Sequence, residues 1–282
     1  MNMEEFKTIL ERGTAEIEEK KSRFIADIFY TENSKQAEEK IKEVKKMYEF
    51  DSRVRYSEVD SQGKLTWLAL MDYFQDCSVF QSESLGIGVD YLAENHQAWV
   101  LTSWQIVLNS MPQLAERVTT QTWAYDMKGF YGYRNFSMNN GQGERLAYAN
   151  SIWALMDTNS GRPVKVSEEM AGLYGMEPQI PMECDGRKIA LPKECDAKEA
   201  FVVPAYFMDT NHHMNNSHYV EVALGFVPDD FAIGQIRVEY RKAAVCGDVM
   251  IPKVSKDCGK ITVVLTDDKD KPYAVVEFAE AV

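Results

Sequence analysis

Setting VDSQGKLTWLALM, from Val59, over MDTNHHMNNSHYV, from Met208, pairs Asp60 with Asp209, Ser61 with Thr210, Gln62 with Asn211 and Lys64 with His213. Each copy follows a short extended run and precedes a helical pattern. A repeat of this kind restricts the chain to two similar domains or one domain built twice. The 282 residues, 45% of them hydrophobic, are enough to bury a core in each half.

The helix after the first copy is well marked. Leu70, Tyr73, Phe74 and Cys77 recur at i, i+3, i+4 and i+7, and Gly86 ends the pattern. One broad apolar stripe must lie on something, and the runs that follow supply it. AWVLTSWQIVLNS, RVTTQTWAYDM, FYGYRNFSMN and ERLAYANSIWALMD are alternating or rich in β-branched and aromatic residues, with NNGQG as a hairpin turn. After the second copy, GQIRVEYRKA, DVMIPKVSK, KITVVLTD and PYAVVEFAEA repeat the order with DDKDK as the turn. The expectation is an α+β chain in which each half is one helix against an antiparallel sheet, residues 47–171 and 199–282.

Between the halves, residues 172–198 carry Pro178, Pro181 and Pro192 among charges and keep no sustained period, which reads as a linker. Residues 1–46 differ in composition from the rest. GTAEIEEKKSRFIADIFY reads as two short strands, and SKQAEEKIKEVKKM predicts a charged helix near 35–47, with Ser34 as its N-cap and a basic last turn. This opening resembles the start of a YigZ/Impact-type domain whose characteristic continuation is absent, so it carries no function over. Met47 opens MYEFDSRVRYSEVD, which itself reads like a natural protein start.

A net charge of −13 sets the chain against polyanions at long range, so nucleic acid and anionic membrane surfaces are poor partners. Five cysteines, Cys77, Cys184, Cys195, Cys246 and Cys258, show no C-x-x-C spacing. With no signal peptide and no long apolar run, they read as free thiols of a reduced, cytoplasmic protein.

A helix wrapped by a twisted antiparallel sheet, occurring twice, resembles the hotdog fold in its double form. The motifs sharpen this: DTNHHMNNSHY is similar to the D-x-N-x-H-x-N-N-x-x-Y loop of acyl-ACP thioesterases, and VEYRKA to their E-Y-R-R element. YSEVDSQGKLTWLALMDYFQD, WVLTSWQIVLNSMP and NSIWALMDTNSGRPVKVSEEM extend the likeness through the first half. The resemblance spans residues 47–282 and implies a thioester hydrolase of fatty acyl-acyl carrier protein, needing no cofactor or metal. It places an acyl-binding function in the first hotdog and the catalytic one in the second.

By position the resemblance gives catalytic roles to Asp209, Asn211 and His213. Thioester hydrolysis requires a nucleophile, a proton acceptor and donors aimed at the developing oxyanion. If the loop is extended, these three side chains project to one side and Thr210 and His212 to the other. His213 is then the better proton acceptor near neutral pH, with Asp209 fixing its tautomer or polarising a water and Asn211 orienting water or carbonyl. Asn215 or Asn216 caps the helix that follows, whose N-terminus is a natural oxyanion site.

The plant members continue E-Y-R-R with Glu and Cys, whereas this chain has Ala243 and Ala244, with Cys246 two positions on. Water is therefore the expected nucleophile, and Cys246 the alternative if strand alternation brings it to the face of Ala244. His212 and His218 read as solvated or helix-surface residues rather than metal ligands. Asp60 stands where Asp209 stands, but Gly63 and Lys64 replace the two histidines, so the first half reads as a binding half. All five tryptophans, Trp67, Trp99, Trp104, Trp123 and Trp153, fall there, as core or as the wall of an acyl slot.

The acidic carrier protein implied as partner would need a local basic landing site, for which Arg237, Arg241 and Lys242, or Lys128 and Arg134, are the candidates. Competing readings are an acyl-CoA thioesterase, a hotdog enoyl hydratase and a non-catalytic acyl-binding protein. Two hotdogs in one chain already supply the pairing that single hotdogs obtain by dimerising, which leaves a further homodimer open.

Overall fold

The computed structural model describes residues 13–19, 22–28 and 47–281. The chain divides into two compact units, 1–46 and 47–282. In the first, β1 (Gly13–Glu19) and β2 (Ser22–Ile28) form an antiparallel hairpin with Gly13 opposite Ile28. The helix expected near 35–47 lies outside the described residues, apart from Met47, which is in a bend before β3.

The second unit holds the repeat. Its first half contains β3 (Tyr48–Arg53), a long helix α1 (Trp67–Ser84), a short α2 (Val89–Glu94), β4 (Gln97–Leu108), β5 (Arg117–Lys128), β6 (Tyr131–Asn140) and β7 (Arg145–Asp157). Then come β8 (Arg162–Pro163), α3 (Glu168–Tyr174) and β9 (Asp196–Ala197). The second half contains β10 (Phe201–Val202), α4 (Asn216–Leu224), β11 (Ile233–Tyr240), β12 (Val249–Asp257), β13 (Lys260–Thr266) and β14 (Pro272–Glu280).

The strand order is β10-β12-β13-β14-β11-β4-β7-β6-β5-β3. Outward from the β11–β4 seam, each half runs through the same sequence of strands, so the repeat seen in the residues is a repeat in topology. At the seam Gln235 pairs with Val107 and Glu239 with Ser103, antiparallel, and the two expected sheets become one. Joining β4 and β11 edge to edge removes two exposed edges that would otherwise invite pairing with other chains.

Each sheet curls around its helix because the apolar stripe demands it. Leu70, Phe74 and Cys77 are fully buried and Tyr73 nearly so. The Phe74 ring packs on Trp104 and Phe136, with centroids 6.0 and 5.3 Å away. Burial of each such side chain is worth roughly 1.5–3 kcal/mol. Thr66 caps α1 by accepting from the Ala69 N–H, and Gly86, at φ 72°, turns the chain away beyond it. In the second half Tyr219, Val220 and Ala223 of α4 face Val276 and Phe278 in the same core.

Residues 175–195 contain no helix or strand, yet they are pinned to the sheet by buried polar side chains. Asn135 accepts from the Ile180 N–H (2.9 Å), Glu239 from the Ile189 N–H (2.9 Å), and the Trp123 indole donates to the Pro178 carbonyl (2.9 Å). Ile180 and Ile189 are themselves buried. The segment lacks periodicity because its backbone groups are satisfied by the side chains of other elements rather than by a ladder of its own.

Candidate functional site

The loop expected to be extended is a closed turn. The Asp209 N–H donates to the His213 carbonyl (2.7 Å) and the His212 N–H to the Asp209 carbonyl (3.1 Å), while Met208 and Met214 pair as an antiparallel bridge. Asp209 Oδ1 accepts from the backbone N–H of both Asn211 (2.8 Å) and His213 (3.2 Å). His212 supplies the left-handed corner at φ 60°. Strict alternation of side chains therefore fails: a short Asp side chain that can bond N–H groups two and four residues on favours a turn over an extended run.

The same device recurs three more times. Asp60 bonds the N–H of Gln62 and Lys64, Asn140 those of Gln142 and Glu144, and Asp267 those of Lys269 and Lys271. The aspartate at the head of each repeat thus has a structural role in both copies. Only the surroundings separate Asp209 from Asp60.

Those surroundings are a cavity of about 380 Å³ that crosses from the second half into the first. Asp209, Thr210, Asn211 and Asn216 contribute to its wall from the second half, and Gln75, Ser78, Trp99, Arg134, Trp153 and Tyr174 are among the residues that contribute from the first. Thr210, assigned by alternation to the opposite side from Asp209, shares the wall with it. His213 does not line the cavity; it is exposed beside the turn, as is His212. Asp209 is half-buried, and among the described residues its Oδ2 accepts no hydrogen bond.

Asn215, not Asn216, caps α4, accepting from the Ser217 N–H at 3.2 Å. Asn216, the first helical residue, instead sends its amide to Gln75 Oε1 (3.1 Å), tying α4 to α1 at the cavity, and its carbonyl accepts from the Tyr240 hydroxyl (2.8 Å). The Asn216 backbone N–H donates to no other described residue. It points out of the helix N-terminus, where the dipole favours negative charge. Asn216, Gln75 and Arg134 as wall residues were missed in the sequence because their meeting depends on how the halves pack.

Next to this joint, Asp72 of α1 is pushed above the usual carboxylate range, chiefly by burial, with Asp76 and Glu221 adding to it and Ser217 and His218 opposing. Tyr219, whose hydroxyl accepts from the Ala244 N–H at 2.8 Å, is raised by burial to about 12. His218 stacks on Phe207 at 4.2 Å and pairs with Glu221 at 2.7 Å.

Cys246 is exposed, on a turn closed by the Asp248 N–H and the Val245 carbonyl, after β11 has ended. No strand alternation relates it to Ala244, which is buried beneath the site and accepts from the Met214 N–H at 2.9 Å. Cys246 is not on the cavity wall.

The basic landing sites also need correction. Arg237 on β11 pairs with Asp185 and Glu277, and just beyond the strand Arg241 pairs with Glu239 and Lys242 with Asp267, so each of these cations already has a carboxylate partner. Arg134 is buried and faces inward, leaving Lys128 exposed without it. Trp99 and Trp153 line the cavity, whereas Trp104 and Trp123 are core.

Two helix-and-sheet repeats joined at a β11–β4 seam, with the polar turn of one half facing a cavity in the other, define a double-hotdog protein. The chain belongs to the acyl-ACP thioesterase family: the family's N-terminal domain matches residues 45–174 and its C-terminal domain residues 192–276. It is 26% identical over 213 residues to an acyl-[acyl-carrier-protein] hydrolase, chloroplastic, of Cuphea viscosissima, covering 69% of this chain and 50% of that protein. It is 24% identical to a palmitoyl-acyl carrier protein thioesterase, chloroplastic, of Gossypium hirsutum, covering 69% and 51%. The chain thus spans about half the length of the curated relatives it matches.

Among solved structures, an acyl-ACP thioesterase from Bacteroides thetaiotaomicron matches with TM-score 0.77 and 22% identity over 85% of this chain and 99% of that one. The 12:0-ACP thioesterase from Umbellularia californica matches with TM-score 0.74 and 18% identity, over 84% and 97%. Among the described residues no helix is long and apolar enough to cross a membrane.

Proposed function

We propose that the protein hydrolyses the thioester of fatty acyl-acyl carrier protein, releasing a free fatty acid and so ending or diverting chain elongation. The observation that carries this is the common wall shared by Asp209, Asn211 and the first residue of α4, at a cavity that continues into the other hotdog. A thioester carbonyl at the α4 N-terminus would meet the open Asn216 N–H as its charge develops, and its acyl chain would run into the first half.

Water is the nucleophile in this reading. Asp209, held by two backbone N–H groups at Oδ1, turns its open Oδ2 to polarise the water, and the Asn211 amide orients it or the carbonyl. His213 is exposed beside the turn and off the cavity wall, so in this reading Asp209 receives the proton first and passes it by way of solvent to His213. Family membership and the names of the relatives support the substrate class.

The deciding experiment follows free-thiol release from a panel of acyl-ACP and acyl-CoA thioesters over a range of chain lengths. Faster release from acyl-ACP is expected. Preferential release from acyl-CoA would move the substrate to the free cofactor ester, hydration of enoyl thioesters without thiol release would make the protein a hydratase, and binding without turnover would make it a carrier.

A further inference from the structure

The cavity that would hold the acyl chain is not uniformly apolar. Arg134, on β6, is 7% exposed and lines it, and among the described residues no carboxylate pairs with it. Its Nη1 donates to Gln81 Oε1 and to Thr122 Oγ1 (3.1 Å), and its guanidinium lies 5.1 Å from the centroid of the Tyr174 ring. A guanidinium has five N–H donors, and Nε and Nη2 give theirs to no described residue. Among the described residues, Arg134 and Asp209 are the only charged ones on the wall, and they come from opposite halves.

Burying a cation without a counter-ion is costly even after the protein relaxes. Burial accordingly lowers the Arg134 pKa, against the partial compensation of neighbouring groups. A saturated chain filling this space would remove the remaining water from the guanidinium and give nothing back. An oxygen on the chain would complete the donor set, and an anionic oxygen would also neutralise the charge. The position is set by α1: Gln75, bonded to Asn216 at the site, and Gln81, bonded to Arg134, are six residues apart, about 9 Å along a helix.

We propose that the cavity selects acyl chains bearing an oxygen acceptor part-way from the thioester, a carboxylate foremost and a hydroxyl or oxo group next, with Arg134 as the residue that binds it. The proposal rests on the cavity being the acyl site. It names the class of acyl group that site takes.

The test measures binding by calorimetry, without relying on turnover. Methyl esters of saturated and of ω-hydroxy acids, and monomethyl esters of diacids, are compared at matched lengths from six to twelve carbons, so that a carboxylate can come only from the far end. In the unmodified protein an ω-carboxy chain of one length should bind at least tenfold more tightly than its saturated counterpart, with the ω-hydroxy chain between. Arg134→Gln should abolish or reverse that order.

Equal or tighter binding of the saturated chain at every length overturns the proposal, as does a preference that survives in Arg134→Gln. If that variant does not fold, the series in the unmodified protein decides alone. If acyl-ACP is not hydrolysed but the oxygenated chain is still preferred, the hydrolase reading falls and this assignment stands.

Discussion

Gly63 and His212 occupy the same left-handed corner of two turns closed by the same bonds, at φ 75° and φ 60°. In each turn an aspartate three residues before the corner accepts from backbone N–H groups two and four residues after itself. One copy uses glycine, for which this conformation carries no Cβ cost. The other places a histidine there, one of the residue types that tolerates it better than most.

This pairing separates structural from chemical roles. Asp60→Ala should lower the melting temperature by about 2–4 °C, the effect of losing about 1 kcal/mol in a chain of this size, and leave turnover intact. Asp209→Ala should cause a similar loss of stability and also reduce kcat by a factor of about 10² or more. Equal turnover in the two variants would remove Asp209 from the site.

Within the second turn, His212 and His213 should differ in the same way. Asn211→Ala and His213→Ala are expected to lower kcat by about 10² or more. His212→Gly, which relieves the left-handed corner, should keep turnover and hold or raise the melting temperature. Thermal unfolding and steady-state kinetics on the three variants check this, and unchanged kcat in His213→Ala would leave the role of base to Asp209 alone.

Cys246→Ala should retain most activity, and no acyl-enzyme should accumulate on a mass spectrometer's shortest quench. The thiol lies on a turn off the cavity wall, and an attacking thiolate would have to be at the carbonyl with a base beside it. An acyl adduct mapped to Cys246 would replace water as nucleophile.

Asp72 gives a pH signature. Burial raises its folded pKa above the ordinary carboxylate value of 3.8, so the stability it contributes is present below that value and is lost as pH rises through the folded pKa. Asp72→Asn keeps the shape and an acceptor for Ser217 but carries no charge. Its melting temperature should exceed that of the unmodified protein near neutral pH, with the difference vanishing in acid below the unfolded pKa. A constant difference across the titration would exclude this carboxyl as the cause.

A chain starting at Met47 should keep both the melting transition and the turnover of the second unit. Residues 47–282 form a compact unit, and the first family domain begins at residue 45. A melting temperature lowered by more than about 4 °C, equivalent to roughly 1 kcal/mol or more, would show that the first 46 residues contribute to it.

Much of this architecture is written locally in the chain. The stripe of Leu70, Phe74 and Cys77 can only be a half-buried helix, and the alternating runs on either side of NNGQG and DDKDK can only be hairpins, because side-chain period and turn chemistry act over a few residues. That the two halves share one order of strands, and that Asp60 corresponds to Asp209, follow from the repeat. The turn at Asp209 is not among these readings: an extended loop puts Thr210 opposite Asp209, whereas the Asp209 carboxylate accepts from the backbone N–H groups of Asn211 and His213 and closes the turn, bringing Thr210 to the same wall.

What the sequence could not contain is the relation between the halves. The β11–β4 seam merges two sheets into one, Asn216 meets Gln75 across the two central helices, and Arg134 and Asp209 end up on one cavity wall. The aperiodic stretch 175–195 similarly shows nothing of its docking, since its partners are Asn135, Glu239 and Trp123 on other strands. Periodicity reports which face of an element is buried, but not against what. Which apolar faces share a core, and which buried polar groups find each other, is decided when the whole chain closes and every buried donor must be satisfied at once.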